Sequence, residues 1–345
     1  MIATKIKHRV ITLALSAAIA TGAAGAANNL RAETCDRDCL VSVMKTYLAA
    51  LVKHDPKAAP LDQYVKFTEN TVVLPVGEGL WVTASGGPTD FQVYAADPVT
   101  QQVAGLVVMK ENSGADVLLG VRLALRRGKI AEAEHHAVRD AALLTMPNLQ
   151  KPRPGLVEDV TASDRTPRAQ MLDIGLSYYD ALELNDGGLT PFAEECERRE
   201  NGGVSVGGKR DFAAPPEPSP EPKPAPESGE AAEMAKLGAA IAVAPNTCAG
   251  QISAGVFSYI SQIRNRRLLV IDEQKGLAVG FSNLCHDSKL KVAKIATASG
   301  VKEMPSYQGV FNMPAMHIFK IRKGKVYEIE ATGLVLPYGI RTGWE

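Results

Sequence analysis

A histidine near the end of the chain stands among apolar residues, where an imidazole can hold or move a proton. If this stretch is a strand, His317 shares a face with Ala315, Phe319 and Ile321, because side chains alternate between the two faces of a strand. Imidazole titrates near neutral pH and often serves as a general acid or base. The other interpretation is a hydrogen-bonded core histidine without a chemical role.

A carboxylate and two phenols are the candidate partners of this histidine. Asp180 would complete an acid/base dyad with His317, and Tyr179 or Tyr338 would donate a hydrogen bond to a developing oxyanion. Such a dyad supports dehydration, isomerisation or cyclisation without a cofactor. Asp180 equally suits the exposed face of a helix. Three further side chains are expected to contact the ligand: Trp344, Phe319 and Tyr259.

The other polar motifs favour structural roles. Glu132 and Glu134 lie two residues apart and face basic residues of the preceding segment, as cross-strand charge pairs do. His135 and His136 point to opposite faces of a strand, which argues against shared metal binding. The sequence has no Gly-x-Ser-x-Gly nucleophile motif and no Walker or dinucleotide-binding fingerprint. We therefore expect neither a metal nor another cofactor.

An internal repeat organises the chain. The segment from Thr46 to Asp55 aligns without gaps on Ser177 to Asp186, and the same register places Glu69-Asn70 on Glu200-Asn201. Further on, residues 125–134 match residues 321–330, both with a Gly-Lys pair inside. Two copies of one structural unit are therefore expected.

The two copies differ where the candidate chemistry lies. Leu48 and Ala49 of the first copy correspond to Tyr179 and Asp180 of the second, and Val121 corresponds to His317. Apolar residues can fill a core without partners, whereas a buried histidine and carboxylate must pair or work. The second copy is therefore the expected location of the ligand.

The elements that would position these residues follow from periodicity. An apolar stripe predicts a helix over about 36–53, and Leu172, Leu176, Tyr179 and Leu182 mark a similar face on a helix over 171–185. A short second helix and then antiparallel strands should follow. Arg-Gly and Lys-Gly between the last two strands of each copy suit tight hairpins, since glycine accepts positive φ. Helices first and a curved sheet after indicate an α+β fold with two tandem cone-shaped units, each a curved antiparallel sheet wrapped by helices.

Composition sets the domain boundaries. The basic start, apolar run and small residues of positions 1–27 form a signal peptide pattern. A Pro-rich stretch separates a first cone at 35–147 from a second at 165–345, with a linker at 148–164. The tract of Pro, Glu and Ser at 213–230 falls inside the second copy, so we interpret it as a disordered insertion rather than as the domain linker.

The signal pattern predicts an exported protein, periplasmic or extracellular. Export permits disulfides among the five cysteines. We expect Cys196 to pair with Cys248, because the Pro-rich insertion lies between them, and leave Cys35, Cys39 and Cys285 unassigned. Lys plus Arg and Asp plus Glu both number 38, which removes the electrostatic reason to propose a nucleic-acid partner. No later segment is long and apolar enough to span a membrane.

The same patterns resemble a known superfamily. The chain resembles the nuclear transport factor 2-like, or SnoaL-like, superfamily in three features. These are a long opening helix ending in Asp, a Glu-Asn turn into a strand, and a closing hairpin with Gly-Lys. Residues 74–81, Asp97-Pro98 and the tail at 336–344 resemble a secreted fungal and bacterial family of unknown function within it. The resemblance implies a cone fold. It is weak for chemistry, because that fold serves catalysis, carrying and association alike.

Two functions therefore follow from the sequence. The first is an exported, cofactor-free acid/base enzyme of lyase, dehydratase or isomerase type that acts on a small apolar molecule in the second cone. The alternative is a non-catalytic module that binds a small ligand or associates with protein, including self-association through the sheets. Polar side chains that line the second cone would favour the first.

Overall fold

The computed structural model describes residues 34–211 and 230–345. The predicted signal segment and almost all of the Pro-rich insertion lie outside the described residues. Within the two described ranges, no helix is long and apolar enough to cross a membrane.

The first cone combines one long helix with a seven-stranded sheet. Its elements are α1 (Arg37–Val52), β1 (Leu61–Glu69), β2 (Val72–Val73), α2 (Leu80–Thr83), β3 (Ala84–Gly86), β4 (Gln92–Asp97), β5 (Gln102–Glu111), β6 (Asp116–Arg126) and β7 (Lys129–Val138). A short helix, α3 (Pro154–Val157), lies in the connection to the second cone.

The second cone has the same plan with additions. Its elements are α4 (Arg168–Leu184), β8 (Phe192–Glu200), β9 (Gly203–Val206), α5 (Glu230–Val243), α6 (Cys248–Ser253), β10 (Gln262–Asp272), β11 (Leu277–His286), β12 (Val292–Thr297), β13 (Gly300–Pro305), β14 (Phe311–Arg322), β15 (Lys325–Gly333) and β16 (Leu336–Pro337). Helices α5 and α6 and the separate hairpin of β12 and β13 lie between elements that the first cone joins directly.

Both sheets have the same strand order. The first runs β2-β1-β7-β6-β5, and the second runs β9-β8-β15-β14-β11-β10, with β4 beside β5 in the first. This confirms the predicted α+β class with two curved sheets. One pairing departs from the antiparallel expectation, because β1 lies parallel to β7 and β8 lies parallel to β15. Each sheet is therefore mixed.

The long helix of each cone packs on the concave face of its sheet. In α1 the predicted stripe of Leu40, Met44, Leu48 and Leu51 is fully buried. The stripe predicted for α4 is partly wrong, since Leu176 is 39% exposed. The helix is turned so that these residues face the sheet instead: Met171, Ile174, Tyr178, Tyr179 and Leu182.

The region after each long helix also differs from the prediction. Only a single 3-10 turn, Pro56–Ala58, stands where the short second helix was expected. The chain then enters β1, a nine-residue strand whose first half is half-exposed. Because β2 pairs only with Thr68 and Glu69, most of β1 forms an edge of the sheet, and an edge strand of this kind lacks the apolar alternation that marks a strand in sequence. Its far end, Phe67 to Glu69, is buried and reaches the interior of the cone.

An asparagine ends the corresponding strand in each cone. Asn70 and Asn201 both have positive φ, 49° and 48°. The Asn70 side chain exchanges two hydrogen bonds with the backbone of Ala137, and that of Asn201 does the same with Gly333. Asparagine tolerates the left-handed region better than most residues and can bond locally. The Glu-Asn pair therefore joins β1 to β7 and β8 to β15.

The convex faces of the two sheets pack against each other. One apolar cluster contains Val93 and Leu106 of the first sheet together with Val279, Phe281 and Ile318 of the second. Polar bonds border this cluster, since Arg267 of β10 binds both carboxylate oxygens of Glu134 in β7, at 2.6 and 3.0 Å. The inner faces of both cones are thus left for their own helices.

Candidate functional site

The candidate site lies on the concave face of the second sheet, at the middle of three adjacent strands. Glu200 of β8 is paired with Ala331 of β15, and Ala331 is paired with His317 of β14. Arg198 precedes Glu200 by two residues and therefore points to the same face. Strand register alone thus brings a guanidinium, a carboxylate and an imidazole together.

These side chains border a cavity of about 60 Å³, counted as room for the centres of water-sized molecules. Its walls are mostly apolar, and α5 contributes Met234 and Leu237. Its polar lining groups include Arg198, Glu200, Asn201 and His317. This combination of apolar walls with a few convergent polar groups is typical of small-molecule sites.

Arg198 is the most buried charge of the cavity. Its side chain is 4% exposed and contacts the carboxylate of Glu200. One terminal nitrogen donates to Ser205 Oγ at 3.4 Å and to Gln251 Oε1 at 3.2 Å, and the guanidinium lies 4.5 Å from the centre of the Phe257 ring. Its Nε–H is buried and has no partner among the described residues. A buried N–H without an acceptor costs about 1–3 kcal/mol.

His317 is neutral in this position. Burial, assisted by the nearby charges of Arg198 and His136, lowers its pKa to about 3. Its Nδ1 lies 3.5 Å from the hydroxyl of Tyr179, and its ring stacks parallel to that of Phe319 at 5.9 Å. The imidazole therefore takes part in hydrogen bonds near neutral pH without carrying charge.

Two phenols lie behind the histidine in α4. Burial raises the pKa of Tyr178 and the pKa of Tyr179 above the ordinary range. The Tyr178 ring is 5.4 Å from that of His317, and the Arg198 side chain interacts with its hydroxyl. Both phenols stay protonated and can only donate or accept hydrogen bonds.

The structure brings four of the predicted site residues together. His317, Tyr179 and Phe319 are in mutual contact, and Tyr259 lines the cavity. In residues 34–211 and 230–345, no group of three or more His, Cys, Asp or Glu side chains is arranged so that it could hold a metal ion.

Asp180 is not part of this group. Its carboxylate is 55% exposed and accepts a hydrogen bond from Arg266 at 2.5 Å. Tyr178 and Tyr179 both face the sheet, and Asp180 lies about 200° from Tyr178 around the helix, so Asp180 points away from the sheet. The predicted dyad of Asp180 with His317 does not form in this arrangement.

The predicted aromatic residues of the tail lie elsewhere as well. Tyr338 is 46% exposed. Trp344 reaches the first cone, where its Nε1–H donates to Thr68 Oγ1 at 2.9 Å and Lys66 lies 4.1 Å from its ring. The tail crosses the edge between the cones because cations on both sheets attract the indole face, so it does not close the second cone.

Arg198 and Glu200 are functional candidates that sequence reasoning missed. The repeat carried the signal, since its register places Arg198 on Phe67 of the first cone. An arginine at an apolar strand position is a substitution of the same kind as Val121 to His317. Only the parallel pairing of β8 with β15 shows that both changes meet at one cavity.

The first cone shows what fills the same space without a ligand. At the register position of Ala331 it carries His135, which is fully buried and bonds Tyr47 through Nε2 at 2.9 Å. Phe67 takes the place of Arg198 and packs edge-on against His135, with 4.9 Å between the rings. Bulky rings thus occupy the interior of the first cone where the second has alanine.

A disulfide secures the strand that carries Arg198. Cys196 of β8 is bonded to Cys248 of α6, with an S–S distance of 1.97 Å. Helix α6 provides Gln251, a partner of Arg198. Cys35 is bonded to Cys39, and Cys285 is a buried free thiol.

Comparisons with known proteins give one similar family and one similar solved structure. A family profile described as "Domain of unknown function (DUF8021)" matches residues 164–333. Among solved structures, a "putative polyketide cyclase" from Silicibacter sp. TM1040 is similar, with 14% sequence identity, a TM-score of 0.25, and coverage of 48% of this chain and 89% of that one. No curated protein matches the chain.

Proposed function

We propose that the second cone binds a small, mostly apolar molecule that carries a neutral oxygen acceptor. The observation that supports this most directly is the buried, unpartnered Nε–H of Arg198 at an apolar cavity. An acceptor oxygen of a ligand would satisfy this donor.

The charge balance favours a carbonyl over a carboxylate. Glu200 already neutralises Arg198, with which it is in contact. A ligand carboxylate would add a second negative charge beside Glu200 in a medium of low dielectric constant. A ketone, ester or amide oxygen offers the same hydrogen bond without that repulsion.

Cofactor-free proton transfer is the second candidate, because Glu200 is the one carboxylate among the described lining residues. Hydrogen bonding from Arg198 would stabilise negative charge on a carbonyl oxygen. Glu200 would then take a proton from the neighbouring carbon and return it to another carbon, an isomerisation, or release it with a leaving hydroxide as water, a dehydration. In this scheme the neutral imidazole of His317 orients the ligand and does not act as an acid.

Three molecules of similar shape test the binding proposal: cyclohexanone, methylcyclohexane and cyclohexanecarboxylate. Saturation-transfer NMR should detect cyclohexanone most strongly and the carboxylate least. Arg198→Met should weaken cyclohexanone binding about tenfold or more, the worth of one hydrogen bond to a charged group. Equal affinity for all three molecules would contradict the proposal.

Matched variants separate binding from catalysis. Val121→Ala in the first cone and Asp180→Asn on the helix surface should leave cyclohexanone binding unchanged. Glu200→Gln should keep binding, while hydrogen–deuterium exchange at the carbon beside the carbonyl should stop. Exchange that persists in Glu200→Gln would remove the catalytic candidate and leave the binding proposal intact.

We also propose that the two cones are copies of one unit, with domains at 35–147 and 165–345. The shared strand order, the parallel edge pairing and the matching asparagine turns support this proposal.

Export of the protein is part of the same proposal. Two disulfides are compatible with an oxidising compartment. A fusion of residues 1–27 to a reporter enzyme that is active only outside the cytoplasm tests the signal. Self-association of two chains stays a prediction.

A further inference from the structure

His286 at the end of β11 is buried with both ring nitrogens directed at backbone carbonyls. Nδ1 lies 2.5 Å from the carbonyl oxygen of Tyr259, and Nε2 lies 3.0 Å from that of Tyr307. The residue is 1% exposed. Carbonyl oxygens only accept hydrogen bonds, so both ring nitrogens must donate for both contacts to be favourable.

A neutral imidazole cannot meet this requirement, because it has one N–H and one lone pair. One of its nitrogens would then face a carbonyl oxygen, lone pair against lone pair, without access to water. The doubly protonated imidazolium donates to both carbonyls. Three aromatic rings surround it, those of Phe311, Tyr307 and Tyr259, with centres 5.1 to 5.7 Å away, and the face of an aromatic ring attracts a cation.

The charged groups around this ring favour a cation. Glu233 of α5 and Asp287, the next residue in the chain, both interact electrostatically with His286. Each carboxylate also has its own lysine: Lys236 at 2.6 Å from Glu233 and Lys289 at 2.8 Å from Asp287. The phenols of Tyr259 and Tyr307 are the remaining titratable groups in contact, and burial raises the pKa of Tyr259 to about 12.

The two carbonyls belong to separate segments that form one wall of the cavity. Tyr259 precedes β10 and Tyr307 precedes β14, and both line the cavity with Phe311. We propose that His286 is an imidazolium in the folded protein and is a positioning residue, which ties these two segments together and so shapes the ligand cavity. The effect on ligand binding rests on the proposed function, whereas the protonation state does not.

The protonation state is measurable in the unmodified protein. Nitrogen-15 NMR over about pH 5 to 8, where imidazoles ordinarily titrate, should show both His286 nitrogens protonated at the acid end. His317 of the same chain is the internal control and should stay neutral, because burial lowers its pKa to about 3. A neutral His286 throughout this range would overturn the proposal.

The positioning role has a readout that needs no ligand. As the pH rises and His286 loses a proton, the ring resonances of Tyr259 and Tyr307 should shift with the same midpoint, because one of the two carbonyl contacts is lost. The ring of Tyr64, which is 83% exposed in the first cone, should not follow. Tyrosine resonances indifferent to the His286 titration would refute the positioning role.

Ligand binding provides the functional arm. Cyclohexanone affinity should fall about tenfold across the His286 titration, the equivalent of one hydrogen bond. In His286→Gln the affinity should be weak at every pH, since both donors of the amide are on one nitrogen, whereas the imidazolium has one donor on each side of the ring and carries a charge. An unchanged affinity in the wild-type protein would refute the link to the cavity. If cyclohexanone fails to bind at any pH, the proposed function fails while the two NMR tests still decide the protonation state and the positioning role.

Discussion

His317 is neutral mainly because it is buried, and the positive charge of Arg198 adds to this effect. Its pKa moves from 6.5 in a model peptide to about 3 in the fold. Between these pH values the unfolded chain binds a proton that the folded chain does not bind. Protonation of this residue therefore favours the unfolded chain. As a result, the free energy of unfolding rises with pH from about 3 to about 6.5.

Replacing this histidine should remove that share of the acid sensitivity. His317→Val copies Val121 of the first cone. Its free energy of unfolding, measured with urea at several pH values between about 3 and 6.5, should rise less steeply than that of the wild type, by up to about 1.4 kcal/mol per pH unit. Parallel curves for the two proteins would show that His317 keeps an ordinary titration in the fold.

At the scale of elements, Asn70 and Asn201 form equivalent turns, each of which hydrogen-bonds the end of β1 or β8 to the neighbouring strand, β7 or β15. Asn201→Ala should lower the free energy of unfolding by about 2–3 kcal/mol, from two lost hydrogen bonds and a strained positive φ. Asn70→Ala should cost a similar amount. Asn201→Gly keeps the backbone conformation and should lose less than the alanine variant. Equal losses in both Asn201 variants would mean that φ contributes nothing.

The two disulfides should differ in their effect on stability. Cys196 and Cys248 are 52 residues apart in sequence, whereas Cys35 and Cys39 are 4 apart. A cross-link restricts the unfolded chain more when it closes a longer loop. Cys196→Ala with Cys248→Ala should therefore lower the free energy of unfolding by roughly 2–4 kcal/mol, and the Cys35/Cys39 double variant should lower it less. The reverse order in chemical denaturation would contradict the loop argument.

At the scale of the whole molecule, a carboxylate buried between the cones connects them. Burial opposes ionisation of Glu134, but hydrogen bonds from His136 and Arg267 outweigh it and hold the pKa of this carboxyl well below its usual range. Arg122 also donates to it, at 3.1 Å. The charged form therefore stabilises the fold above the ordinary carboxyl pKa, and this contribution is lost as the pH falls.

Glu134→Gln should destabilise the protein at pH 7 by about 3–5 kcal/mol, because Arg267 would lose its anion and the buried Arg122 would keep only the half-exposed Glu132 as a partner. The difference from the wild type should shrink as the pH falls below about 4, where the unfolded carboxyl becomes protonated. Glu132→Gln, whose parent carboxylate is 35% exposed, is the matched control and should cost about 1 kcal/mol or less. A pH-independent difference would place the effect in packing.

Much of the fold could be read from local patterns. The α1 stripe of Leu40, Met44, Leu48 and Leu51, and the Arg-Gly and Lys-Gly hairpins, are local: helical periodicity and positive φ at Gly128 and Gly324 depend on neighbouring residues alone. The strand β1 could not be read in this way, because an edge strand is half-exposed and its apolar pattern is incomplete.

The sequence by itself determined the two-cone plan, the α+β class and the inward position of His317, since repeat alignment and periodicity need no distant contact. Only the tertiary structure decided which groups meet that histidine. Asp180 points outward because Tyr178 and Tyr179 occupy the inward face of the same helical turn. The parallel pairing of β8 with β15, which joins segments more than 120 residues apart, places Arg198 and Glu200 at the same cavity as His317. Such pairings depend on the closing of the whole sheet, so no local pattern of residues contains them.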